Sequence, residues 1–291
     1  MKLTILGSGT SHGVPVIACD CPVCTSKNPK DKRYRSSVYI ETDQQKYILV
    51  DIGPEFRIQA LENNIRKLDA LLLTHSHADH LHGIDDLRIF SADMYKKPEN
   101  ERSLVQFNAP PIPVYTNKST LDDIKQRFAY FFVDVKEGGG RAKVALHQAD
   151  KSFDFYGTEI TPVPMMHGHL PTTGWLFSHT GKDQKTHSIA YLTDCSYISD
   201  ESFELMNTKS GILDHVIIDG LRIRPHSTHF SFLQAMEAAN RLSPKHVWLT
   251  HITHETSHDD ITAYILEHKK EFENLKDIEV LPAYDKLVIE S

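Results

Sequence analysis

The segment LLLTHSHADH, residues 71–80, ends an apolar run with three histidines and an aspartate inside six positions. Imidazole and carboxylate are common ligands of zinc and manganese, and a cluster this dense leaves polar groups that a folded interior satisfies only by pairing them or by binding metal. In a tight loop after a strand, His75 and His77 can point the same way and clasp one ion, while Asp79 and His80 turn toward a second ion beside it. A lone loop histidine needs no more explanation than an ordinary hydrogen bond; four donors at this spacing do. A second group is CDCPVC, with Cys19, Cys21 and Cys24. Thiols this close suit a metal better than disulfides to distant segments, although three thiolates need a fourth ligand to close a tetrahedral zinc. Free or reactive thiols are the competing reading. A third group is LRIRPHSTHFSF, where His226 or His229 has the near-neutral pKa of a proton donor and Arg222 and Arg224 have the forked geometry that grips phosphate, though exposed arginines mostly cover surface.

These residues need elements to position them. MKLTIL predicts a first strand, followed by the turn GSGTSHG, and SSVYIET with KYILVDIG predicts a hairpin around DQQ. EFRIQALENN predicts a helix, LDALLLT a strand, residues 82–95 a helix after the histidine cluster, residues 96–113 an exposed excursion, and TLDDIKQRFAYFF a helix before the turn GGGR. The second half repeats one arrangement: ITPVPMM runs into His167, IAYLT into Asp194, HVIID into Gly220 and HVWLT into His251, just as LDALLLT runs into His75. Four of these five strand ends carry a candidate ligand. Strand termini on one edge of a sheet are neighbours in space, so one site can be assembled from distant segments. The amphipathic stretches SFLQAMEAANRL and ITAYILEHKKEF lie between them, which implies an α/β architecture with helices packed on sheets.

Composition sets the outer bounds. The 291 residues are 40% apolar, enough for a sizeable core, and no repeat or Pro/Gly/Ser linker divides them, so one domain spanning 1–291 is expected, with the cysteine loop near 19–24 as an appendage. The net charge of −7, from 39 acids against 32 bases with no basic tract, argues against long nucleic acids or anionic membranes as partners. No apolar run approaches the ~18 residues of a membrane span, and the first segment is too short for a signal-peptide core. A cytoplasmic protein with reduced thiols is the expectation.

HSHADH matches the H-x-H-x-D-H signature of the metallo-β-lactamase superfamily, and Asp51 in LVDIG, His167 in MMHG, Asp194 in LTDCS and His251 in LTHITH follow that family's order over nearly the whole chain. More narrowly, GSGTSHGVPVIACDCPVC, RYRSSVYI and LTHITH resemble the PhnP-like branch, phosphodiesterases that open cyclic phosphates of ribose and are related to tRNase Z. The resemblance implies an αββα sandwich, two β-sheets flanked by helices. It implies that His75, His77 and His167 hold one metal, that Asp79, His80 and His251 hold the other, and that Asp194 bridges them, with Asp79 also counted among the catalytic residues. Two ions about 3.5–4 Å apart can share a water, lower its pKa and neutralise charge on a phosphoryl transition state. The ligand set suits zinc or manganese and does not choose between them. By the same resemblance His229 is the proton donor in preference to His226, His254 closes a structural zinc with the three cysteines, and the protein is a homodimer. Asp51 is expected to hold the histidine loop from behind, or else to cap the following helix. The expected activity is hydrolysis of a small cyclic phosphate ester, 5-phosphoribosyl 1,2-cyclic phosphate or a cyclic nucleotide. The alternatives are tRNA 3′ processing, thiolester or lactam hydrolysis, and a non-catalytic nucleotide-binding role.

Overall fold

The computed structural model describes residues 1–91, 93–94, 105–106, 110–133 and 141–291, so most of the expected 96–113 excursion and the glycines of GGGR lie outside the described residues. The strands are β1 (Lys2–Gly7), β2 (Ser37–Glu41), β3 (Tyr47–Val50), β4 (Ala70–Leu72), β5 (Asp93–Met94), β6 (Val105–Gln106), β7 (Ile112–Thr116) and β8 (Val144–Gln148). They continue with β9 (Phe153–Phe155), β10 (Thr158–His167), β11 (Leu170–Thr180), β12 (Thr186–Leu192), β13 (Ile212–Asp219), β14 (His246–Thr250), β15 (Glu279–Pro282) and β16 (Val288–Glu290). The α-helices are α1 (Phe56–Glu62), α2 (Ala78–Leu81), α3 (Lys118–Arg127), α4 (Asp200–Lys209), α5 (Phe232–Leu242) and α6 (His258–His268).

Two mixed seven-stranded sheets form, in the orders β16-β1-β2-β3-β4-β7-β8 and β15-β14-β13-β12-β11-β10-β9. The side-chain period of two divides each strand between two apolar layers. Ile48, Val50 and Leu72 face inward with Trp175, Tyr191 and Ile217 of the other sheet, while Leu49 and Leu71 face outward onto Phe56 of α1 and Ile124 of α3. On the second sheet Val216, Ile218, Val247 and Leu249 face outward onto Phe203 and Met206 of α4, Phe232, Met236 and Leu242 of α5, and Ile261 and Ile265 of α6. Each fully buried aliphatic contributes roughly 1.5–3 kcal/mol relative to exposure, so three apolar layers fix the αββα order expected from the sequence. Four helices begin on a side chain that accepts from their first turn: Asn117, Ser199, Ser231 and Ser257, with Ser231 and Gln234 forming a reciprocal box.

Parallel pairing puts the site on one edge. β3, β4, β7 and β8 run parallel in the first sheet, and β12, β13, β14 and β15 in the second, so their carboxyl ends share a rim. The hairpin of β10 and β11 ends at the pair His167–Leu170. One expected element differs: instead of an α-helix over 82–95, a 3-10 helix spans Ile84–Ile89 and Asp93–Met94 is a strand. Gly83 donates to the Ile52 carbonyl, and a Cβ at Gly83 would lie 2.1 Å from the Gly53 carbonyl oxygen. That close backbone approach admits only glycine at position 83. No helix among the described residues is long and apolar enough to cross a membrane.

Candidate metal centre and active site

Three strand ends reach the rim through the same backbone device. Asp51 after β3, Asp194 after β12 and His251 after β14 adopt φ of 61°, 52° and 60°, a left-handed conformation that costs a non-glycine residue on the order of 1–3 kcal/mol. Such a residue stops the strand and redirects its side chain across the sheet edge. Asp51 is anchored strongly enough to hold the turn: its carboxylate accepts from the Thr74 backbone N–H at 2.8 Å, the Thr74 hydroxyl at 2.9 Å and His80 Nδ1 at 2.7 Å. It therefore grips the histidine loop from behind and does not cap α1, whose N-cap is Glu55.

The imidazoles present a common pattern. His80 Nδ1 faces Asp51, His167 Nδ1 lies 2.7 Å from the Thr228 carbonyl, and His229 Nδ1 lies 2.7 Å from Asp219 Oδ2. The Thr74 hydroxyl donates its only proton to Asp51, so at 3.0 Å from His75 Nδ1 it accepts. Each of these rings thus keeps a proton on Nδ1 and turns Nε2 to the rim. Burial works against charge on His80, but the carboxylates of Asp194, Asp79 and Asp51 outweigh it and push the imidazole well above its ordinary value, so its Nε2 carries a proton that a metal would displace. His75 Nε2, His80 Nε2 and both nitrogens of His251 are buried without a hydrogen-bond partner.

Ligand-type atoms converge at the rim in overlapping groups, among them His75, His77 and His167, and Asp79, His80, Asp194 and His251; His229 falls in two others, with His167 and Asp194 and with Asp219 and His251. Asp194 joins them. Its Oδ1 lies 3.9 Å from His75 Nε2 and 4.0 Å from His167 Nε2, and its Oδ2 lies 2.9 Å from His80 Nε2 and 3.2 Å from His251 Nε2. Burial works against the charged form of Asp79, and the imidazoles of His80 and His251 more than offset it, so its carboxyl is held well below the usual range. Asp194 is held low in the same way by His251, His80 and His75. Burial and the neighbouring His80 push His75 well below the ordinary histidine value, which keeps its lone pair free. Unpartnered buried nitrogens beside ionised carboxylates are a donor set that fits divalent cations.

His229 sits beside both groups, its ring 4.5 Å from that of His167 and 4.6 Å from that of His251. Its partner Asp219 is fully buried and also accepts the Cys195 N–H at 2.8 Å. Sequence reasoning passed over Asp219 by looking to the residue after HVIID; the signal was the acid that closes an otherwise apolar run. Burial pushes the Asp219 carboxyl up and the His229 imidazole down. His226 is exposed and turns its Nδ1 toward Thr228, with its ring 5.4 Å from that of His229. Arg222 and Arg224 are bound by one acid: Arg222 Nη1 lies 2.9 Å from Glu255 Oε1 and Arg224 Nη2 lies 2.9 Å from Glu255 Oε2.

The cysteine loop closes on the same rim. The Sγ atoms of Cys19, Cys21 and Cys24 lie 3.3, 3.4 and 3.4 Å from His254 Nδ1, close to the roughly 3.6 Å between sulfur and nitrogen ligands of one tetrahedral zinc. The Cys24 N–H holds the Cys21 thiol down at about 6, while burial pushes Cys24 up to about 11. The neighbouring loop is tied to the strand end that carries His251: Thr10 N–H donates to the Ile252 carbonyl and Ile252 N–H to the Ser8 carbonyl. Cys195 stands apart, buried in the outer apolar layer of the second sheet.

With this geometry in hand, comparisons place the chain. The sequence profile of the beta-lactamase superfamily domain matches residues 46–252. An octanoyltransferase of Porphyromonas gingivalis is 36% identical over 256 residues, covering 87% of this chain, but the chain spans only 46% of that protein. A crystal structure of a diphosphatase from the PhnP family is 35% identical, with a TM-score of 0.78, over 100% of this chain and 97% of that one. The short form of human tRNase Z shares the fold, at 17% identity and a TM-score of 0.65 over 100% and 99% of the two chains. The chain belongs to the beta-lactamase superfamily, with the metallo-β-lactamase fold, and is related to the PhnP-family diphosphatase.

Proposed function

We propose that the protein is a dinuclear metal phosphodiesterase that opens a small cyclic phosphate ester, with 5-phosphoribosyl 1,2-cyclic phosphate or a cyclic nucleotide as its substrate. The observation that carries this reading is the Asp219–His229 pair, a buried aspartate–histidine couple beside Asp194 and two groups of ligand-type atoms. The PhnP-family relative, a diphosphatase, supports it at the level of phosphoryl-group hydrolysis. In this reading His75, His77 and His167 hold one divalent ion, Asp79, His80 and His251 the other, and Asp194 spans both, with zinc or manganese as the metal. Two such ions supply a nucleophile at neutral pH and neutralise charge on the reacting phosphoryl group.

The chain's own residues do the rest. Asp51 and Thr74 fix the rings of His80 and His75, so the ligands are preorganised by the protein. Asp219 accepts the His229 Nδ1–H in a hydrogen bond, which aims Nε2 at the rim; in the imidazolium form Nε2 carries a second proton, which passes to the departing ester oxygen and leaves the ring neutral. Cys19, Cys21, Cys24 and His254 would hold a structural zinc, which would tie the N-terminal loop to the same edge.

The octanoyltransferase relative raises a second reading, hydrolysis of an acyl thioester, because the same donors can polarise a carbonyl. One panel separates the two: bis(p-nitrophenyl) phosphate, ribose 1,2-cyclic phosphate with and without a 5-phosphate, and an octanoyl thioester. Turnover of the cyclic esters with an inert thioester is the expected result, and the reverse pattern overturns the proposal.

A further inference from the structure

Two guanidiniums holding one carboxylate form an anion site whose occupant belongs to the chain itself. Arg222 is set in place by its own loop: Nε donates to the Arg224 carbonyl at 3.3 Å and Nη2 to the Pro225 carbonyl at 3.5 Å, which leaves Nη1 for Glu255. Arg224 reaches the other oxygen of the same carboxylate and is mostly exposed, at 73%. The two arginines precede His229 in one loop, and Glu255 directly follows His254 in the next; Thr253 N–H donates to the Leu221 carbonyl and joins those loops. The grip therefore sits at the mouth of the candidate active site. Its charges are unequal, two cations against one anion, and the two guanidinium forks would match a phosphate monoester dianion better. A half-exposed ion pair is also weak enough to be exchanged for a ligand.

Resting on the phosphodiesterase reading, we infer that Arg222 and Arg224 form a subsite for a phosphate monoester on the substrate, and that Glu255 is a displaceable stand-in which gates it. The competing role for the same contacts is a tether between the two loops, and the two roles give opposite signs when Glu255 is neutralised. A gate that is removed raises affinity for the monoester; a tether that is cut lowers turnover of every substrate.

The test compares wild type, Glu255→Gln and Arg224→Ala at pH 8, as metal-loaded protein. Ribose 5-phosphate binding is read by calorimetry, and hydrolysis is read on ribose 1,2-cyclic phosphate with and without the 5-phosphate. Glu255→Gln is expected to bind ribose 5-phosphate ~3- to 10-fold more tightly and to lower KM for the 5-phosphorylated ring by a similar factor. Arg224→Ala is expected to weaken both by about tenfold, with the unphosphorylated ring unchanged in either variant. Glu255→Gln that slows both rings equally, or ribose 5-phosphate binding indifferent to both changes, overturns the inference. Loss of all hydrolysis in wild type with the binding differences intact would instead count against the phosphodiesterase reading and leave the subsite standing.

Discussion

The two edges of the sandwich are both rich in histidine, and they use it oppositely. On the rim at the carboxyl ends of the parallel strands, His75, His80, His167 and His229 each have Nδ1 occupied by the protein and Nε2 turned toward the cluster. At the other edge both ring nitrogens are consumed. His179 meets Asp43 at 2.7 Å and Ser291 at 3.2 Å, His187 meets Asp214 at 2.8 Å and Asp183 at 3.1 Å, and His215 meets the Glu290 carbonyl and the Trp248 indole. A ring with two protein partners is cross-linking structure; a ring with one partner and a buried lone pair is a ligand or a proton carrier. Eighteen histidines therefore mark a site only after their second nitrogens are traced.

The contrast can be broken at several points. Asp194→Ala removes the carboxylate shared by both donor groups, and should leave cyclic-ester turnover undetectable and strip the rim of metal in elemental analysis; a variant that keeps its metals denies Asp194 the bridging role. His229→Ala should cut kcat by ~10²–10⁴ with metal content unchanged, and metal lost with the ring would make His229 a ligand instead. Cys21→Ser should remove one zinc per chain and lower the melting temperature by several degrees while the rim keeps its ions, as elemental analysis and calorimetry would show.

The smallest effect belongs to the opposite edge. The Asp214 hydrogen bond raises the pKa of His187 above its ordinary 6.5. The folded state therefore binds this proton more tightly than the unfolded chain, so the stabilisation is full below about pH 6.5 and is lost as pH rises through the folded value. The stability gap between wild type and His187→Gln, from urea unfolding, should be wider at pH 5.5 than at pH 9, with turnover unaffected. An equal gap at both values would mean the ring is not charged there.

Much of this contrast was legible in the sequence because the candidate ligands of the rim fall at strand ends. A β-prone apolar run followed at once by His or Asp carries its own geometry, as LDALLLT does before His75, IAYLT before Asp194 and HVWLT before His251. The cysteine spacing was equally plain, and the distant His254 came through family resemblance. Asp219 was missed because a terminal acid in HVIID reads as the end of a strand, and its role depends on a ring ten residues away. Glu255 had no local signal, since its partners Arg222 and Arg224 are about thirty residues off in sequence. The helix expected over 82–95 is a 3-10 helix over Ile84–Ile89, and the packing of Gly83 on Gly53 just before it is a contact between segments that periodicity does not encode.

The central claim is that the rim holds two ions and the cysteine loop a third, so the most direct measurement is elemental analysis of protein purified without chelator or nickel, with cyclic-ester hydrolysis assayed on the same sample. The account predicts about three divalent ions per chain, falling to about one in Asp194→Ala together with the activity. A wild-type protein that opens ribose cyclic phosphates while carrying only the cysteine-bound ion would contradict it.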